Sequence, residues 1–304
     1  MPPSSGAEPA PPSERGRRTT RGQVPVPAGT FAMGDAFGEG YAGDGERPVH
    51  DVTLPAYLVD ATTVTNAAFS AFVKATGYRT TAEQAGSSAV LHLAVERAGT
   101  RQHVVREVPG TPWWWEVRGA SWRAPEGPGS TSATRANHPV VHVSHHDAEA
   151  YCSWAGKRLP SEAEWERAAR GGLTGARFPW GDEREPGGRW AMNIWQGTFP
   201  TRNTEDDGHL TTAPVKSYRP NGFGLWQVAG NVWEWCADRF DPTYYERSPA
   251  LDPRGPATGD LRVMRGGSYL CDDSYCDRYR LAARSATTPD SSAANLGFRC
   301  ANDA

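Results

Sequence analysis

The chain lacks any apolar run near the ~18 residues that a membrane span needs, and its first residues hold no apolar stretch that could form a signal-peptide core. A twin-arginine signal fails as well, because Arg17 and Arg18 are followed by Thr19, Thr20, Arg21 and Gly22. A cytoplasmic protein that does not enter membranes is expected. Charge of one sign is not in excess: 32 Lys and Arg face 35 Asp and Glu, a formal net charge of -3, which gives no electrostatic ground for nucleic acid or anionic lipid as the main partner. Cysteine is scarce and odd in number, five in all, so a fully paired secreted framework does not fit and at least one thiol is free or employed. No internal repeat is found.

Turn formers and indoles are what the chain has in quantity. Gly 33 and Pro 25 make up about 19% of the 304 residues, against ~12% in average usage, and twelve tryptophans offer large apolar faces. The expectation is an α+β fold of low regular content, one large domain packed through loops and aromatics. Residues 1–22 are rich in Pro, Ser, Gly, Ala, Glu and Arg without hydrophobic period, and read as a disordered tail. The folded domain is expected over 23–304, opening with short strands around Val24–Gly34 and His50–Asp60.

Three helices are predicted. Thr65 caps one with Phe69, Phe72 and Val73 on its buried face and Gly77 as its stop. Ser144 caps a second, whose Ala148, Tyr151, Cys152 and Ala155 share one face before Gly156. Ser161-Glu-Ala-Glu164 is a capping box opening a third that buries Trp165, Ala168 and Ala169 and ends at Gly171-Gly172. Ala89–Val95 and His103–Val108 are expected to pair as a hairpin around Arg97–Gln102. Trp113, Trp114, Trp115 and Trp122 either fill a loop-rich core or line a groove for an extended peptide. The second half should be mostly irregular.

Cys271 and Cys276 lie five residues apart, so their sulfurs converge only if the chain turns between them, and Asp272-Asp273-Ser274 supplies turn formers. Two converging thiolates suit Cu(I), whereas structural zinc wants four ligands and no CxxC or paired His stands nearby. A local disulfide fits the spacing equally. Arg278 and Arg280 favour thiolates while Asp272, Asp273 and Asp277 oppose them. His142, His145 and His146 are close enough to suggest a metal, but at a helix start they read as surface or capping residues.

The segment Arg265-Gly-Gly-Ser-Tyr-Leu-Cys-Asp-Asp-Ser-Tyr-Cys-Asp-Arg-Tyr-Arg280, with Ala283–Arg299, Ala150–Glu166, Phe178-Pro-Trp-Gly181, Asn193–Gly197 and Gly230-Asn-Val-Trp-Glu-Trp235, resembles the formylglycine-generating enzymes, or sulfatase-modifying factors. The resemblance runs from about residue 24 to the C-terminus. It implies a single compact domain of that fold, related to C-type-lectin-like folds, and an oxygen-dependent oxidation of the cysteine in a Cys-X-Pro-X-Arg motif of sulfatases to formylglycine. Cys271 and Cys276 would hold Cu(I), and the substrate cysteine would join as a third sulfur ligand. Ser268 and Trp233 match positions near oxygen and copper, and Asn295 one that contacts peptide.

The same resemblance implies two calcium sites, the first from Asn193, Ile194, Asp207 and His209, the second from Gln227, Gly230, Val232 and Glu234. Gln227 stands where relatives have a shorter Asn. It also implies a disulfide between Cys152 and Cys300, while Ala169 and Leu281 occupy the positions of a second one. The expected partners are a nascent or unfolded sulfatase polypeptide, oxygen and a thiol reductant, met by a monomer. Asp60 and Glu126 are candidate carboxylates for the substrate arginine, and Cys236 reads as a buried free thiol. The wider fold also includes members without the catalytic thiols, so a non-catalytic peptide-binding paralogue is the alternative.

Overall fold

Five short helices, Asn66–Thr76 (α1), Thr81–Ala85 (α2), His92–Ala98 (α3), His145–Trp154 (α4) and Glu162–Arg170 (α5), stand among small sheets of two to four strands in the computed structural model, which describes residues 19–304. The first 18 residues of the expected tail fall outside the described residues. Thr19 and Gly22, by contrast, are tied to the domain: the Asn302 amide donates to the Thr19 carbonyl at 3.0 Å and the Ala61 N–H to the Gly22 carbonyl at 3.0 Å.

Helix starts follow side-chain chemistry closely. Thr65 accepts the Ala68 N–H at the head of α1, and the boxes Ser144/Asp147 and Ser161/Glu164 open α4 and α5. Each satisfies orphan N–H groups that the first helical turn leaves without backbone partners. Two further helices depart from the expected pattern. A third capping box, Thr80/Glu83, opens α2, and α3 occupies part of the expected hairpin. That pairing does not form: strand Thr111–Arg118 lies between Ser87–Leu91 and Val104–Val108 and pairs with both. The run Val90-Leu-His-Leu-Ala-Val95 reads either way, and burial of Leu91, Ala94 and Val95 at helical spacing with Gly99 as the left-handed stop decides for a helix.

The tryptophans divide between the two expected roles. Trp115 and Trp122 are buried in apolar clusters, while half-buried Trp113 and Trp114 line a cavity. Among the described residues, no helix is long and apolar enough to cross a membrane.

The four-stranded sheet carries the positions that matter most, in the order Arg284–Thr287, Arg262–Arg265, Trp233–Arg239, Leu296–Gly297. Helix α5 packs on it through a buried ionic network. Glu162 accepts from Arg265 at 2.7 Å and from Arg284 at 2.6 Å and 2.8 Å, and Glu166 is shared by Arg265 and Arg170. Burial alone would raise both carboxyl groups, yet the guanidiniums outweigh it and hold Glu166 at about 2.

Asp238, on strand Trp233–Arg239, is the counter-example. It accepts the Glu162 N–H at 2.8 Å, but burial and then the Glu162 charge push its pKa up to about 7 from an ordinary 3.8. Its protonated form is favoured by folding, so the associated stability is fully present below about 3.8 and is lost as pH rises through about 7, an effect on the order of a few kcal/mol. Melting of the wild type and Asp238→Asn should therefore diverge between about pH 4 and about pH 8, with the wild type losing ground as pH rises. A constant difference in Tm would refute this.

Candidate active site

Strand Arg262–Arg265 ends in Gly266-Gly267, and the chain then turns back on itself. Gly267 has φ 70, and a Cβ there would sit 2.8 Å from the Arg278 carbonyl and 3.0 Å from the Tyr279 Cα. Only glycine lets the outgoing arm (267–271) lie this close to the returning arm (276–279). Between them Asp272 nucleates the turn: its carboxylate accepts from the Ser274 N–H at 2.9 Å and hydroxyl at 2.6 Å, and its carbonyl accepts the Cys276 N–H at 2.6 Å. The sulfurs of Cys271 and Cys276 thus meet at 3.2 Å, both as free buried thiols.

The two thiols differ electrostatically. Cys271 is raised well above the usual thiol range by burial and by its neighbour, although the Ser268 N–H points at its sulfur from 3.4 Å. Cys276 falls to about 7 through the hydrogen bond from Cys271, aided by Arg278 against its own burial. Cys276 is therefore the thiol of the pair that ionises more readily, with Cys271 as the donor to it. Arg278 is held by Asp44 at 3.1 Å and lies over the Tyr41 ring at 4.4 Å. Arg280 is drawn away to Glu46 at 2.8 Å.

Above the pair opens a cavity of about 290 Å³. Trp233, Ser268, Cys271, Cys276 and Asn295 all line it, so the structure gathers every residue expected at the site. Ser268 Oγ accepts from the Asn295 amide at 2.9 Å and from the Leu270 N–H at 3.3 Å, which leaves its own proton to donate. Tyr275, from the turn, stacks on Phe199 at 4.7 Å and meets the edge of Trp113 at 4.6 Å. This aromatic clasp is not visible in the sequence, since Phe199 and Trp113 are remote in the chain; the aromatic Tyr275 next to Cys276 is the one available signal.

The first oxygen set is drawn together by Gln196, a residue that sequence reasoning missed. Buried Gln196 donates to the Ile194 carbonyl and accepts the Asp207 N–H at 3.4 Å. Buried Asn193 presents an Oδ1 with no hydrogen-bond partner, and Asp207 accepts from the Tyr218 hydroxyl and the His209 N–H, each at 2.9 Å. A buried acceptor without a donor, in a loop that also carries the Asp207 carboxylate, fits a hard cation. The second set fits poorly. Gln227 Oε1 is also unpartnered, but both oxygens of Glu234 are taken, by Arg299 at 2.6 Å and 2.7 Å and by the Trp165 indole at 2.8 Å. That carboxylate is already neutralised by a guanidinium.

Other expectations are settled by burial. Sulfurs of Cys152 and Cys300 lie 3.3 Å apart, unbonded; Ala169 and Leu281 share one apolar cluster; and Cys236 is a fully buried free thiol. His142 and His145 are not at the surface: both are fully buried, with Nε2 of each on a main-chain carbonyl. Asp60 is engaged by Lys157 at 2.6 Å and Glu126 by Arg135 at 2.5 Å, and neither faces the cavity. Among the described residues no three His, Cys, Asp or Glu side chains gather as a metal site, which leaves the dithiol as a two-ligand donor set.

Comparison with known proteins agrees with the geometry. Residues 8–304 match the family model described as sulfatase-modifying factor enzyme 1-like domain. The chain is 66% identical over 302 residues to the formylglycine-generating enzyme of Streptomyces coelicolor, covering 99% of this chain and 95% of that one. It is 57% identical over 286 residues to the enzyme of the same name from Thermomonospora curvata, covering 93% and 94%. In fold it is similar to PvdO from Pseudomonas aeruginosa, with TM-score 0.68 at 24% identity over 97% of this chain and 99% of that chain.

Proposed function

The chain belongs to the sulfatase-modifying factor family of formylglycine-generating enzymes, and from that premise we propose that it oxidises the cysteine of a Cys-X-Pro-X-Arg motif in sulfatase polypeptides to formylglycine, with oxygen as the oxidant and a thiol reductant. The observation that carries this reading is the buried pair of thiols 3.2 Å apart at the floor of the cavity. A non-catalytic paralogue would have no use for two converging, unbonded cysteines at that point.

The donor set fits Cu(I): two soft sulfurs, one of them with a lowered pKa, and no carboxylate or imidazole in the cavity lining among the described residues. Copper held by Cys271 and Cys276, its sulfur set completed by the substrate thiol, would supply oxygen activation that begins once there is a cysteine to oxidise.

The chain's own residues do the rest. Trp233, Trp113 and Trp114 give the cavity apolar walls, which exclude water and seat the extended motif. Ser268, its lone pairs occupied by Asn295 and Leu270, can only donate, and so stabilises negative charge that develops above the sulfurs. The main-chain N–H of Ser268 and the Arg278 guanidinium share the negative charge of the pair.

Calcium at the first oxygen set would brace the loop 193–209, which has little ladder bonding of its own. We include no second calcium, because Glu234 is bound to Arg299. Addition of calcium is expected to raise the Tm of the wild type, by the equivalent of ~3 kcal/mol at a hundredfold excess over Kd, and to leave Asn193→Ala unmoved. An equal rise in both would remove calcium from that set. The disulfide between Cys152 and Cys300 is proposed for oxidising conditions only, where closing so long a loop would contribute about 5 kcal/mol.

The reaction is tested by incubating a peptide containing Cys-Thr-Pro-Ser-Arg with the protein, Cu(I), reductant and air, then trapping aldehyde with an aminooxy dye. Labelled peptide in air and none under argon is expected. No label in air would overturn the proposal.

A further inference from the structure

His142 is a buried titratable group that the proposed reaction leaves unused. It is fully buried and holds φ 58, the left-handed region that non-glycine residues seldom adopt. Strain of this kind persists where the surroundings fix it, often beside functional sites. Both ring nitrogens are bonded: Nε2 lies 2.9 Å from the Pro125 carbonyl and Nδ1 lies 2.8 Å from Ser88 Oγ. Ser88 Oγ in turn lies 2.8 Å from Ser292 Oγ, and Ser292 lines the cavity above the cysteines.

The direction of each hydrogen bond in this chain follows from its far end. A carbonyl can only accept, so His142 Nε2 carries the proton. Burial lowers the pKa of the ring to about 4, so it is neutral and Nδ1 is an acceptor. Ser88 has a second candidate acceptor, the Ser292 carbonyl at 3.1 Å, but donating there would leave Nδ1 a buried acceptor without a donor, the costlier arrangement. Ser88 therefore donates to His142, and the Ser292 hydroxyl donates to Ser88. With its proton turned inward, Ser292 shows the cavity lone pairs only.

The class of donor it accepts is set by the charge of the cavity. Apart from the two cysteines, the lining among the described residues contains one charged side chain, Arg278, and no carboxylate; Ser285, Thr287, Ser291 and Ser292 contribute neutral hydroxyls to it. A guanidinium would meet no carboxylate at those hydroxyls, whereas a peptide amide needs none. Resting on the proposed reaction, we infer that His142, acting through Ser88, fixes Ser292 as a hydrogen-bond acceptor that takes a main-chain N–H of the bound motif peptide. Ser292 is then a substrate-binding residue, and His142 and Ser88 are positioning residues.

The test uses a fluorescently labelled motif peptide with its cysteine replaced by alanine, bound to copper-free protein and read by anisotropy. Ser292→Ala should bind about tenfold more weakly with Tm unchanged, and in turnover should raise KM with kcat little altered. Ser88→Ala should show a similar loss because Ser292 is then free to rotate, and the double variant should lose no more than either alone. His142→Gln, whose amide can both accept from Ser88 and donate to Pro125, should keep most of the affinity. Wild-type affinity in Ser292→Ala overturns the inference, as does a Ser292→Ala loss that disappears when the motif arginine is changed to alanine, since the contact would then be to the guanidinium. If the wild type converts the motif peptide and Ser292→Ala binds normally, this inference alone fails; if the wild type converts nothing, the proposed reaction fails with it.

Discussion

Cys276→Ser should reduce conversion of the motif peptide by about a thousandfold or more while the protein melts at the wild-type temperature. The change swaps one sulfur for oxygen in a turn whose geometry is set by Asp272 and Gly267 rather than by the thiol. What disappears is the more readily ionised of the two sulfurs and a ligand soft enough for Cu(I), since a serine hydroxyl is neither readily ionised nor soft. Cys271→Ser should be equally inactive, although its sulfur is the protonated partner, because a single thiolate does not make a two-sulfur site. A chromophoric chelator that competes for Cu(I) gives the second readout: the wild type should withhold one copper and both variants should release it. Near-normal turnover in either variant would mean that the pair is not the reacting centre.

The second large effect concerns stability. Glu162→Gln should lower stability by about 3–5 kcal/mol, roughly 10 °C in Tm for a domain of this size. Glu162 stands between Arg265 and Arg284, and all three are buried. Arg265 keeps Glu166, but Arg284 is left with no carboxylate, only neutral acceptors: the remaining amide oxygen at position 162 and the carbonyls of Asp44 and Gly45. A buried guanidinium without counter-charge is the costly outcome, well beyond the loss of one hydrogen bond. A change of less than about 1 kcal/mol would show that water reaches Arg284. Because Arg265 immediately precedes Gly266 and Gly267, the network also sets where the dithiol turn begins, so surviving Glu162→Gln protein should bind copper less tightly.

Much of the fold and the site is legible in the sequence, and the reasons are local. Thr65, Ser144 and Ser161 are side chains that satisfy their own helix starts, so the three helices they cap follow from a few residues each. The turn formers between Cys271 and Cys276, Asp272 foremost, likewise point to convergence of the two thiols. Spacing alone leaves a disulfide open, and it is the surrounding motif that turns the reading toward a metal site. The failures are tertiary. Val90–Val95 is apolar enough for strand or helix, and strand Thr111–Arg118 takes both neighbours as partners. His142 and His145 are polar side chains near a helix start yet are buried, because their nitrogens find carbonyls 17 and 91 residues away. Glu234 looks free to hold calcium until Arg299 arrives from the far end of the chain.

Turnover by this dithiol should depend on copper, and a titration tests that most directly. Chelator-stripped protein is titrated with Cu(I) while formylglycine in the motif peptide is followed by mass spectrometry. Conversion should start near zero, rise in proportion to added copper, and level off at one copper per chain. Full conversion by the stripped protein, or no aldehyde at any copper level, would contradict a copper dithiol as the reacting centre.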